Sequence, residues 1–419
     1  GIDNLIYYLL DPQQHAYLNF SGCGNTMNCN HPVVRELIRS SLRYWVIEMH
    51  VDGFRFDLAS ILGRDKLGRV LPDPPMIEVI AEDPVLRDTK IIAEAWDAAG
   101  LYQVGSFSSN VRWGEWNGRF RDDVRAFMAG HSGTVTNLAT RIAGSSDLYQ
   151  PSSRGPCNSV NFLTSHDGFT LYDMVSFNEK HNLANGEENR DGENLNLSWN
   201  SGKEGFSAGK KIAELRFRRI RTMALILFLS QGVPMLVAGD EFGRSQRGNN
   251  NAWCQDNSIG WIDWSLAEKN ADLLRFFKKC IELRKKHTVF RREDFFKDKL
   301  RIEDGDTFRE IIWQSTAPGI TDWTPECRVL AFLLDGRGAE GKREDDFFVM
   351  LNGHREEEAT FEIPEVPSKN ESRRWHKIID TASSAPGDFI TIEEGAKSLL
   401  SPKVRVAAMS GVVLQSARM

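Results

Sequence analysis

The chain has 419 residues, of which 41% are hydrophobic and 26% charged, with 11 tryptophans and a formal net charge of −6. That length exceeds one ordinary domain and allows a sizeable core. The acidic balance argues against a nucleic-acid or anionic-membrane partner, since both call for concentrated basic charge, and no apolar run is long enough to span a bilayer.

Residues 1 to about 31 are polar and loop-like and end in Ser21-Gly-Cys-Gly-Asn-Thr-Met-Asn-Cys-Asn30. Pro32 suits a helix first turn, and Val33, Val34, Leu37, Ile38, Leu42, Trp45 and Met49 follow at helical spacing. Val51 to Ser60 then reads as a short strand. Phe54, Phe56 and Leu58 share one face, and Gly53, Arg55 and Asp57 the other. Lys90–Asp97 is a second short apolar run ending in acids, followed by the segment Trp113-Gly-Glu-Trp-Asn117 and a helix from Arg121. Val160–Asp167 is a third such run, and Pro234–Glu241 a fourth. Between these last two lie a long polar loop, His181–Gly205, and a helix over Ala213–Ser230. A loop of that length is usually functional or disordered. An amphipathic helix spans Leu266–His287.

Strands alternating with helices predict parallel βα units. Active sites of a βα barrel sit at the strand C-termini, where these charged residues fall. From about residue 290 the pattern changes to short strands separated by turn residues, opening at Leu300 and closing at Val404–Ala408. This predicts a separate antiparallel β-sandwich domain. The six cysteines (Cys23, Cys29, Cys157, Cys254, Cys280, Cys327) form no C-x-x-C pair, so neither a zinc site nor a disulfide framework is indicated. With no H-E-x-x-H and no phosphate-binding loop, no metal or cofactor is expected.

Asp57 and Glu94 would end consecutive parallel strands, which lie about 4.8 Å apart. Two carboxyl groups about 5–5.5 Å apart are the geometry of a retaining glycosidase, one attacking the anomeric carbon and the other protonating the leaving oxygen. The pair must be split in pKa. Arg55 would keep Asp57 ionised, and Glu94, flanked by Ala93, Ala95 and Trp96, would keep its proton. Asp167, with His166 beside it, supplies a third carboxylate. The aromatic residues near these strand ends suit stacking on sugar rings, and each equally suits a core.

Gly53-Phe-Arg-Phe-Asp57, Ile92-Ala-Glu-Ala-Trp-Asp97 and Phe162-Leu-Thr-Ser-His-Asp167 resemble three ordered signature motifs of the alpha-amylase superfamily. Gly22–Pro32, Trp113–Gly118 and Ala184–Gly192 resemble the isoamylase-type debranching branch, in a form similar to plant and algal proteins acting on starch. The resemblance covers residues 1 to 290 strongly and the β domain loosely. It implies an α/β fold: a partial (β/α)8 barrel, roughly strands four to eight, over residues 1–289, and a β-sandwich over 290–419. On this reading the sequence begins in the loop after the third barrel strand.

The resemblance implies Asp57 as nucleophile, Glu94 as general acid/base and Asp167 as transition-state stabiliser. Arg55 and His166 become substrate-site partners, with Asn25, Trp96, Trp113 and Trp116 as further substrate-binding residues. Where alpha-amylases often carry a histidine just beyond the nucleophile, Ser60 and Ile61 stand here. The implied activity is hydrolysis of α-1,6 branch linkages in amylopectin, phytoglycogen or glycogen-type glucans, in a plastid stroma, with isoamylase homo- or hetero-oligomers as possible assemblies. The alternatives are a glycogen-type debranching enzyme or 4-α-glucanotransferase, and a non-catalytic glucan-binding subunit.

Overall fold

A computed structural model describes residues 2–13, 16–206, 208–297, 301–303, 306–338, 343–367 and 373–418. In chain order it holds α1 (Asn4–Tyr7), α2 (Pro32–Ile47), β1 (Gly53–Phe56), α3 (Pro75–Glu82), β2 (Lys90–Ala93), β3 (Trp113–Asn117), α4 (Gly118–Met128), α5 (Val135–Ile142), α6 (Ser146–Tyr149) and β4 (Ser159–Phe162). Then come α7 (Leu171–Met174), α8 (Lys210–Leu229), β5 (Val233–Met235), α9 (Ser265–Lys269) and α10 (Ala271–Lys286). The remaining strands are β6 (Arg301–Glu303), β7 (Asp306–Phe308), β8 (Ile311–Gln314), β9 (Val329–Leu334), β10 (Phe347–Asn352), β11 (Ala359–Glu362), β12 (Arg373–Asp380), β13 (Lys403–Val406) and β14 (Ser410–Arg418). The fold is α/β with a C-terminal antiparallel sheet. Leu300, which opens the first expected strand of that region, lies outside the described residues. Packing gathers the chain into two compact units, Gly1–Gly118 with Ser145–Val160, and Arg119–Gly144 with Asn161–Met419.

In the first unit β1, β2, β3 and the start of β4 are neighbours in that order, with β1–β2 and β2–β3 parallel. Register sets the faces: Arg55 pairs with Ile92, and Ile92 with Gly114. Two residues further along, Asp57, Glu94 and Trp116 therefore share that same face. On the opposite face Ile91, Ala93 and Trp113 are buried with Leu42, Leu62, Met76, Ile77 and Ile80. Pro32 starts α2, whose first turn is capped by His31 Nδ1 accepting from the Val33 N–H at 3.3 Å. Of its expected apolar stripe only Val34 and Leu42 are buried, and Leu37 and Trp45 are 51% and 43% exposed.

In the second unit the end of β4 is followed by β5. Helix α8 carries four arginines, of which Arg216 and Arg219 are each only 1% exposed. They are tolerated because backbone carbonyls surround them. Arg216 donates to Gly205 O at 2.7 Å, and Arg219 to Met128 O at 2.9 Å and to the Ser201 hydroxyl at 2.8 Å. The single helix expected over 266–287 is broken at Asn270. Its side-chain amide donates to Phe242 O at 2.8 Å, a tertiary contact 28 residues back along the chain.

The antiparallel sheet runs β12-β14-β10-β9-β8, with β11 and β13 paired separately. Phe361, Val404 and Val406 from that pair share one core with Phe348, Met350 and Val413 of the sheet, and with Leu225 and Phe277 of α8 and α10. Every residue of β9 and β10 is consequently buried. The sequence reading has no counterpart for β14, the strand between β10 and β12. The turn before it is made by Met409 at φ 53°, without the glycine or proline that marks most turns.

Candidate active site

Arg55 organises the first unit's strand ends. Its Nη1 donates to Asp57 Oδ1 at 2.7 Å. Its Nη2 lies 2.8 Å from Glu94 Oε1, an ion-pair contact out of line for a hydrogen bond. One cation thus serves two carboxylates in very different surroundings. The Asp57 side chain is 72% exposed, and that of Glu94 only 4%. Burial raises the Glu94 pKa above the usual glutamate value. The Leu58 N–H and Arg55 pull it back, and the neighbouring Asp57 carboxyl pushes it up again.

The backbone after β1 is bent to fit. Leu58 takes the left-handed conformation at φ 40°, a strained state for a non-glycine residue that costs about 1–3 kcal/mol. In return its N–H donates to Glu94 Oε2 at 2.9 Å, and the Ala59 N–H donates to Glu94 O at 2.8 Å. Strand pairing brings the Glu94 N–H to Phe56 O at 3.0 Å. A deeply placed carboxyl with a raised pKa beside a wet carboxylate can work as an acid beside a nucleophile.

Trp116 lies under this cluster, with the Arg55 guanidinium carbon 4.2 Å from its ring centroid. Trp113 is a correction. It is fully buried, edge-on to Phe56 and Phe107 at 5.1 and 5.2 Å, because it occupies the opposite phase of β3 from Trp116. It is core and offers no face to a ligand. Glu115 shares that inner face and pairs with Arg154, both side chains having no exposure. Trp96 is half-buried and stacks on Tyr102, with centroids 5.9 Å apart and planes 8° from parallel. Asn25 sits in a loop stapled by its own carbonyl accepting from the Ser21 hydroxyl. A buried Arg64–Asp97 pair, with Arg64 Nε 3.0 Å from Asp97 Oδ2 and its guanidinium 3.8 Å from the Phe20 ring, fixes the next turn. Sequence reading missed Leu58, Arg64, Tyr102 and Arg154. Asp97 was visible as a strand-end acid, and its partner lies 33 residues away.

In the second unit Asp167 is 70% exposed and His166 56%, with Nε2 3.3 Å from Oδ2. The turn that carries them is held from below. Thr164 donates its hydroxyl to Asp240, whose other oxygen accepts the Leu171 N–H at 2.9 Å. Burial pushes the Asp240 carboxyl up to about 6. Arg125 Nε donates to Leu163 O at 2.7 Å. The Gly168 N–H donates to Asn250 O at 2.9 Å. Asn250 is itself clamped. Its N–H donates to Asn182 Oδ1 at 2.9 Å, and its amide donates to Glu193 O and Asn196 Oδ1 at 2.7 and 2.8 Å. The long loop 181–205 is thereby tied to the residue that supports the Asp167 turn. Among the described residues no group of three or more His, Cys, Asp and Glu side chains is placed to hold a metal ion, and none of the six cysteines is in a disulfide.

No protein-family model matches the sequence. Individual proteins match along most of it. Isoamylase 1, chloroplastic, of rice is 44% identical over 410 residues, 93% of this chain and 48% of its own length. The glycogen operon protein GlgX homolog of Mycobacterium tuberculosis is 46% identical over 396 residues, 91% of this chain and 54% of its own. This chain is a homologue of the isoamylases and GlgX proteins. It spans about half the length of these relatives. Among solved structures, pullulanase from Bacillus acidopullulyticus aligns with a TM-score of 0.68 at 24% identity, covering 98% of this chain and 43% of that one. Pullulanase type I from Bacillus subtilis, complexed with maltose, gives 0.68 at 21%, covering 98% and 50%. At such identity the likeness concerns the fold alone.

Proposed function

We propose that the polypeptide carrying this chain hydrolyses α-1,6 branch linkages in amylopectin- and glycogen-type glucans by double displacement. The observation that carries this is Arg55 joining a wet Asp57 to a buried Glu94 whose pKa is raised. An Asp57 oxygen attacks the anomeric carbon while the bond to the leaving oxygen breaks and Glu94 passes it a proton. Glu94, now a carboxylate, takes a proton from water. That water's oxygen attacks the anomeric carbon and Asp57 departs as a carboxylate. The motif resemblance gives Asp167 the task of steadying the positive charge of the transition state, and His166 that of gripping a sugar hydroxyl. The reading draws on the names of the relatives, isoamylase and glycogen operon protein.

Replacing Glu94 by Gln tests it. Reducing-end release from amylopectin is expected to fall by about 10²–10⁴-fold, with linear chains as the wild-type product. Unchanged activity in E94Q contradicts the assignment. New linkages among the products would favour a glucanotransferase, in which a sugar hydroxyl replaces the water. A glucan-bound but inactive wild type would favour a non-catalytic subunit. The plastid address rests on the plant relatives' names alone. The mycobacterial relatives, equally similar, lend it no support. An oligomer with other isoamylase chains is likewise proposed from the resemblance, and sedimentation of the purified polypeptide checks it.

A further inference from the structure

Arg55 is pulled toward an exposed carboxylate on one side and a buried one on the other. Two such contacts leave the long side chain free to favour either acid. A third contact restricts it. The ring of Trp116 lies under the guanidinium at 4.2 Å, within the range where an aromatic face attracts a cation. The register explains why the ring is there. Trp116 is two residues beyond Gly114, which stands level with Arg55 across β2, so it reaches the level of the carboxylates on their own face. One face of the indole is thereby taken by the arginine.

We propose that Trp116 is a positioning residue that fixes Arg55 between Asp57 and Glu94, so that one cation serves both carboxylates. This rests on the hydrolase reading above. Its role is exerted through Arg55, in contrast to a residue that stacks on substrate.

The test uses W116F, W116L and site-specific incorporation of mono-, di- and trifluorotryptophan at residue 116 in the full polypeptide. Fluorine drains the ring's negative face while preserving its shape, so folding is not at stake. W116F is expected to retain most of the rate, and W116L to lose about 3- to 30-fold in kcat, the worth of one cation–π contact. KM should move less than twofold. The fluorinated series should lower kcat stepwise and raise the midpoint of the Glu94 carboxyl ¹³C titration stepwise, because Arg55 is among the groups that lower it. A raised KM with intact kcat, or a flat fluorination series, overturns the proposal. The titration needs no substrate. It therefore still decides the positioning role if E94Q shows the hydrolase reading to be wrong.

Discussion

Asp57 and Glu94 of the first unit and Asp240 of the second are held in opposite ways. At β1 and β2, Asp57 and Glu94 are joined by the Arg55 cation, and one of them faces water. Beyond β4 and β5, Asp240 is 1% exposed and is satisfied by a hydroxyl and a backbone N–H. Asp173 is held in the same manner by the Ser245 hydroxyl and the Gln246 N–H, and burial lifts it too to about 6. A carboxylate shared with a mobile proton and open to solvent can do chemistry. One enclosed by neutral donors braces a turn. Position at a strand's C-terminal end marks both kinds, and only the partners separate them.

The contrast is most severely strained where a cation-paired acid is also fully buried. E115A leaves Arg154 charged in the core and is expected to cost about 3–5 kcal/mol in urea unfolding, far more than any acid with an exposed oxygen. Next comes R55L. It should lower kcat/KM for amylopectin by roughly 10²-fold, of the order of losing an electrostatic stabiliser, and raise the Glu94 titration midpoint further, since Arg55 opposes the effect of burial. A smaller effect is expected of D240N, about 1–3 kcal/mol for the hydrogen bond it cannot accept.

That variant also carries a pH signature. The folded Asp240 pKa, about 6, is above the unfolded value of about 3.9. Between the two the folded state holds the extra proton, so wild-type stability falls as pH rises through that window. D240N should flatten the fall when melting is followed from about pH 4 to 6. Least affected is E393A. Its Lys286 pair is more than half exposed on both sides, and its loss should cost under about 1 kcal/mol.

Much of this was legible in the residues. Period-two alternation exposed Phe54 and Phe56 on one face of β1 and Arg55 and Asp57 on the other. The motif carrying Glu94 and the switch to antiparallel strands after residue 290 were equally plain. What escaped was set by pairing between strands and by backbone conformation. Gly114 and Asn117 are poor strand residues, so Trp113–Asn117 did not announce itself as β3, and the opposite fates of Trp113 and Trp116 followed from that. Nothing local marks Leu58 for φ 40°. Its conformation is imposed by Glu94, 36 residues on. The loop 181–205 looked open-ended because its asparagines bond to partners near residue 250, which one-dimensional reading does not connect.

The central claim is that Asp57 takes the sugar and Glu94 the proton. It is met most directly by trapping the glycosyl intermediate with a 5-fluoro-α-glucosyl fluoride and mapping the label by peptide mass spectrometry. The account predicts one glucosyl adduct on the peptide containing Asp57, accumulating faster than it turns over. An adduct on Glu94 or Asp167, or none on a polypeptide that releases reducing ends from amylopectin, would contradict it.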